Sequence, residues 1–243
     1  MLNLNDIKRC AAYFQNEFID KVYEIETECG VIITIKSEGK QFPHLVGLKR
    51  SDYLRYGYHS AQNLFNDILN PSFTSFNARL IPPNIRESSL KGQKIKNFEQ
   101  MHILLTNIND LCINYNSSAS SSRLDHVDYL FSNYLSGFSL GCIFEPSNNS
   151  FVLSTWIDES SSSQSQKEKY YPSQTTDLIK RVSIYNLHGT LLEEKVAKRK
   201  FKDYLRILSI VRRNNMTLRL PSNDNLLIKL ICKLPFCKCN IIH

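Results

Sequence analysis

Two sets of short β-forming runs, one on each side of a helical middle, restrict this chain more than any other feature. KVYEIETE from Lys21 and VIITIKSE from Val31 are rich in β-branched and aromatic residues and are separated by Cys29 and Gly30, which predicts two strands with a tight connection. Residues 135–157, LSGFSLGCIFEPSNNSFVLSTWI, place two apolar runs around the turn PSNN and predict a hairpin. DLIKRVSIYNLHG, from Asp177 to Gly189, adds a further strand.

Helical periodicity fills the rest. Residues 4–20 open on an Asn–Asp cap and carry Ile7, Cys10, Ala11, Phe14 and Phe18 on one face. SAQNLFNDILN forms a short helix stopped by Asn70 and Pro71, and residues 72–88 read as irregular around Pro82 and Pro83. Residues 89–115 place Ile95, Phe98, Met101, Leu104, Leu105, Ile108, Leu111 and Cys112 on one stripe, the longest helix expected. Serine-rich loops follow at 116–123 and from Glu159. The expectation is an α+β fold, an antiparallel four-stranded sheet with helices packed on one face. Residues 1–189 would form that domain and 190–243 a basic, mainly helical C-terminal extension. Its helix would run through LLEEKVAKRKFKDYLRILSIVRRNN and dock by Phe201, Leu205 and Leu208.

Charge separates the two parts. Residues 190–243 hold 12 Lys+Arg against 4 Asp+Glu, a net of +8, so the remaining 18 and 19 give residues 1–189 a net of −1 within the total of +7. Such a patch suits a polyanion, RNA or DNA above all, although a solvated lysine-rich helix face has the same composition. The seven cysteines lie mostly alone in apolar runs, as buried free thiols do, which points to a reducing cytoplasmic setting. No stretch of about 18 apolar residues predicts a membrane helix. Cys232, Cys237, Cys239 and His243 are zinc-ligand types in a spacing that matches no standard finger or ribbon, so no metal or other cofactor is expected.

Neither a GxGxxG nor a GxxxxGK glycine loop is present, and no HExxH pair, so nucleotide-dependent and zinc-protease chemistry are not indicated. The remaining groups are those that cleave RNA without metal: a base for the 2′-hydroxyl, a cation for the phosphorane and an acid for the leaving oxygen. FPHLVGLKR offers His44 with Lys49 and Arg50 in one turn-rich segment, though a lone histidine is as readily structural. Ser154 and Thr155 bring hydroxyls at the end of a strand. Arg181 and Tyr185, four residues apart, share one strand face suited to a phosphate and a stacked base. Lys198, Arg199 and Lys202 lead the basic segment as outward contacts for the RNA backbone.

HLVGLK after an early strand, the apolar helix from Lys91 to Tyr115, and LGCIFEP…FVLSTWI followed by KRVSIY together resemble the phage-associated Barnase–EndoU–colicin E5/D–RelE-like nucleases, in particular the fourth such family. The resemblance covers residues 1–189. It implies helices against a four-stranded antiparallel sheet, RNA cleaved on the open face, and a phage-borne or secreted toxin with an antitoxin or immunity protein as partner. His44 matches the motif histidine, and Lys49 follows the motif directly. The expected activity is a metal-independent endoribonuclease; the alternative is a non-catalytic nucleic-acid-binding or antidote-like module.

Overall fold

The computed structural model of this 243-residue chain describes residues 2–55, 57–74, 85–107, 111–119, 124–133, 135–220 and 240–242, with residues 52, 201 and 240–242 described by their backbone alone. Helix α1 (Leu4–Phe14) starts where Asn3 accepts from the Asn5 N–H at 2.8 Å and Asp6 accepts from the Asn3 N–H at 2.8 Å, and it runs on as a π-turn over Gln15–Ile19. The reciprocal cap satisfies the first free amides of the helix. Ile7, Cys10, Ala11, Phe14 and Phe18 are buried, the face that their spacing predicts.

β1 (Lys21–Thr27) and β2 (Ile32–Lys36) form the expected antiparallel pair. Among the described residues the α-helices α2 (Phe42–Leu45), α3 (Arg50–Arg55), α4 (Ala61–Leu69) and α5 (Leu90–Lys96) follow. After them come α6 (Gln100–Thr106), β3 (Leu111–Asn114), β4 (Tyr129–Asn133), β5 (Phe138–Glu145), β6 (Ser150–Asp158) and α7 (Gln164–Lys167). The long helix expected over 89–115 is therefore two short helices and a strand. β3 is buried on both faces, so its apolar run continues the helical stripe without a break that periodicity registers.

β7 (Thr175–Asn186) is the longest strand and pairs antiparallel with both β1 and β3. Seven strands thereby close on themselves in the order β1-β2-β6-β5-β4-β3-β7 and back to β1. All these pairs are antiparallel except β2–β6, which meet in parallel at Ile35 and Phe151. This mixed closed barrel replaces the four-stranded antiparallel sheet expected above. Closure rests on pairs far apart in sequence, Lys21 with Asn186 for example, which local alternation does not encode.

Cover on one face alone is corrected too. In β3 the side chain of Cys112 joins a cluster with α1, α4, α5 and α6, while Leu111 and Ile113 join a second cluster with α8 (Phe201–Arg213). Alternate strand residues point to opposite faces, so helices cover both. The region after Gly189 is not a single helix either. Asn186 accepts through Oδ1 from the His188 and Thr190 amides and turns the chain into β8 (Leu191–Val196), which pairs with β7. α8 is anchored by Ile207, Leu208, Ile210 and Val211, whereas Leu205 stays 38% exposed. β9 (Thr217–Arg219) runs parallel to β7, and β10 (Asn240–Ile242) parallel to β9.

Candidate active site

FPHLVGL folds into one helical turn whose ends its own residues set. Pro43 lies in the first turn, where an absent N–H is no loss. Gly47 ends the turn at φ +79°. The Leu48 amide donates to the Pro43 carbonyl at 2.7 Å and the Gly47 amide to the His44 carbonyl at 2.9 Å, the two bonds of a Schellman cap. Phe42, Pro43, Leu45, Val46 and Leu48 are buried, and His44 is the side chain the turn presents to water. Its ring is nonetheless partly desolvated. Burial holds the His44 pKa below the ordinary histidine value, and the Lys94 charge depresses it further.

Lys94 comes from α5. That helix is capped by Ser89, whose Oγ accepts from the Gly92 amide at 3.1 Å, and it is anchored by the fully buried Ile95. Gly92 lies so close to the Arg86 carbonyl that a Cβ there would fall 2.1 Å from the oxygen, so only glycine permits this approach of the helix to the incoming chain. Lys91 and Lys94, one turn apart, share a face. The Lys91 methylenes lie against Gly47, 3.6–3.8 Å from where a Cβ would stand, so this face of α5 looks at the His44 turn. Lys94 is half-buried, makes no ion pair or hydrogen bond among the described residues, and has its pKa lowered by burial.

Both α2 and α5 pack on β6. In β6, Leu153 stands opposite Cys142 and Thr155 opposite Gly141, which leaves Ser154 as the extra residue of a bulge. The Ser154 hydroxyl is buried with no hydrogen-bond partner among the described residues. Thr155 turns its methyl toward Gly141 beside Val127, the face opposite Leu140 and Cys142 of the helix-lined cluster. Lys49 and Arg50 are exposed directly after the His44 turn.

The other expected contacts lie elsewhere. Arg181 meets Glu26 at 2.9 Å and Glu194 at 3.4 Å; it shares a strand face with Tyr185 as the spacing predicts, but Val182 and Ile184 between them point into the helix-lined cluster. The structure does not bring Arg181 or Tyr185 to His44. Lys198 and Lys202 are exposed. Arg199 is not the outward contact expected of it: its side chain is 1% exposed, paired with Glu28 at 2.6 Å and donating to the Ile179 carbonyl at 2.6 Å. The chain crosses back from β8 to α8 at this point, and the guanidinium fills the crossing. Arg213, exposed in α8, pairs with Glu168.

Sequence reasoning passed over two partly buried ionisable side chains. Lys94 carries a local signal, the Lys-x-x-Lys spacing behind a serine cap, but the apolar stripe beside it dominates the pattern. His102 has none. Its Nδ1 lies 2.9 Å from the Tyr23 hydroxyl, which itself donates to the Glu17 carbonyl at 2.6 Å, so Nδ1 must carry the proton. Burial lowers its pKa against the opposing pull of Glu17, and the ring ties α6 to β1.

A comparison with protein-family models matches residues 6–212 to phage-Barnase-EndoU-ColicinE5/D-RelE like nuclease4. The chain belongs to this family. As such a nuclease it takes nucleic acid as substrate, and His44 stands within the matched residues. Comparisons with curated proteins and with solved structures return no match. Among the described residues of the nuclease no helix is long and apolar enough to cross a membrane. Cys10, Cys29, Cys112 and Cys142 are free thiols, and burial raises the pKa of each. Cys232, Cys237, Cys239 and His243 lie outside the described residues.

Proposed function

We propose that this nuclease is an endoribonuclease that cuts RNA through the substrate's own 2′-hydroxyl, with His44 as the proton-transfer group and no need for metal. The observation that carries the reading is the His44 corner. A buried Schellman turn holds one imidazole toward solvent, and partial burial favours its neutral form, the form a base requires. In the reaction the imidazole takes the 2′-hydroxyl proton and the 2′-oxygen attacks phosphorus. The bond to the 5′-oxygen then breaks, that oxygen takes up a proton, and the products are a 2′,3′-cyclic phosphate and a 5′-hydroxyl. Lys49 and Arg50, exposed beside the corner, hold the phosphodiester, and Lys198 and Lys202 add attraction for the backbone. In the biological setting this reading gives, the protein is a cytoplasmic toxin of a phage or bacterial conflict system held in check by an antitoxin or immunity protein.

The test uses a single-stranded RNA and a DNA of the same sequence, both in EDTA. RNA cut to 2′,3′-cyclic ends, DNA left whole and the cutting lost in His44→Ala support the proposal. Equal cutting of DNA, or cleavage abolished by EDTA, overturns it. Tight RNA binding without cleavage identifies a binding module instead.

A further inference from the structure

We propose that Lys94 is the catalytic cation of this site, placing its ammonium on a non-bridging oxygen of the scissile phosphate while His44 moves the proton. The inference rests on the ribonuclease reading above and adds a residue from a different helix. Three observations meet here.

The helix that carries Lys94 is anchored. The serine cap, the Gly92 backbone contact and buried Ile95 fix α5 on both sides of it, and the Cys10 thiol donates to the Ile95 carbonyl at 3.4 Å. Functional groups gain most from position when their own element is locked by packing.

Lys94 also lacks what the other crowded cations of this protein have. Arg199 is matched by Glu28, Arg219 by the fully buried Asp177, and Lys169 by Glu159. Lys94 has no carboxylate or other partner among the described residues, although burial disfavours its charge. A half-buried ammonium without a counter-charge is an unfavourable arrangement that an anion relieves.

Finally, its neighbours on the α2 side are an imidazole and a glycine. His44 feels the Lys94 charge, and the Lys91 stem passes over Gly47. The junction of α2 and α5 thus carries an imidazole and an ammonium, and no described carboxylate pairs with either. A phosphodiester bound there meets a proton acceptor and a cation together. When the 2′-oxygen attacks, negative charge grows on the non-bridging oxygens, and an ammonium held in a poorly solvated place stabilises that charge more than it stabilises the ground state.

The experiment compares Lys94→Met and Lys94→Arg with the wild-type chain on one RNA substrate. Single-turnover cleavage is measured at saturating enzyme, and binding is measured with the 2′-O-methyl form of the same RNA, which lacks the nucleophile. The expected result is a loss of about a hundredfold to a thousandfold in the cleavage rate for Lys94→Met, the range for removing one transition-state donor. Lys94→Arg should recover part of that loss. The salt dependence of 2′-O-methyl RNA binding should flatten by about 0.7 in log–log slope for Lys94→Met. Methionine replaces a half-buried chain of similar length, so the unfolding midpoint should not fall. A Lys94→Met protein with wild-type cleavage rate and unchanged salt slope overturns the proposal, as does a loss that arginine does not relieve in a protein of unchanged stability. Wild-type protein that leaves RNA intact defeats the ribonuclease reading instead, and the salt slope then still decides whether Lys94 meets phosphate.

Discussion

Replacing Gly47 by alanine tests whether the histidine corner is built as described. The residue sits at φ +79°, where a side chain brings strain of about 1–2 kcal/mol. Alanine also restricts the unfolded chain, which returns about 0.4–1 kcal/mol, so the net loss is on the order of 1 kcal/mol. No steric cost adds to this, because the new Cβ would stand 3.6–3.8 Å from the Lys91 methylenes, an ordinary contact. For a chain of this size the melting temperature should fall by roughly 2–4 °C. Gly189, at φ +80° with no atom within 4 Å of its would-be Cβ, provides a control of nearly equal strain remote from the site. Gly189→Ala should lose the same stability. The two variants should then part on RNA: Gly47→Ala relaxes the cap that aims His44 and should slow cleavage by about tenfold to a hundredfold, while Gly189→Ala should leave the rate unchanged. The assay pairs urea unfolding with single-turnover cleavage at saturating enzyme. Equal rates in both variants, with equal stability losses, would refute the idea that the glycine cap orients the histidine.

Two further outcomes follow from charges placed differently than their sequence neighbourhood suggests. Arg199→Ala strips Glu28 of its buried partner and should lower unfolding free energy by about 3 kcal/mol, whereas exposed Lys198→Ala should stay within about 0.5 kcal/mol of wild type, both read by urea unfolding. Reversing Lys198 and Lys202 to glutamate should weaken RNA binding and reduce its salt slope by up to about 0.7 for each phosphate that is no longer engaged, with the cleavage rate at saturation little changed; an unaltered slope would remove this segment from the RNA interface.

What the sequence made legible were the elements whose signals are local. The β1–β2 and β5–β6 hairpins carry their own alternation and turn residues, and α1 carries its own cap. The closed barrel was not legible because it depends on β7 reaching β1 and β3, and because β3, buried on both faces, has lost the alternation that marks a strand. β8 shows a related failure. LLEEKV suits a helix by composition, and only the asparagine-made turn at Asn186 commits it to pairing with β7. In the site, His44 stood out because Lys49 and Arg50 follow it in one turn-rich segment. Lys94 did not, since what distinguishes it is the absence of a partner, and partners are supplied by the fold. Arg199 shows the converse: a lysine–arginine run looks uniformly solvated until one member meets Glu28 from the β1–β2 turn.

The long strand β7 also governs when the molecule can exist at all. It lies after residue 174, yet it supplies the seam that joins Lys21 near one end of the fold to Asn114 in its middle. A ribosome that has delivered every strand up to β6 therefore holds a chain whose two halves have free edges and no closure. Contacts so distant in sequence form slowly, and unpaired edges recruit other chains. A nuclease assembled this way cannot close its barrel, or hold its two halves in register, until β7 has been made.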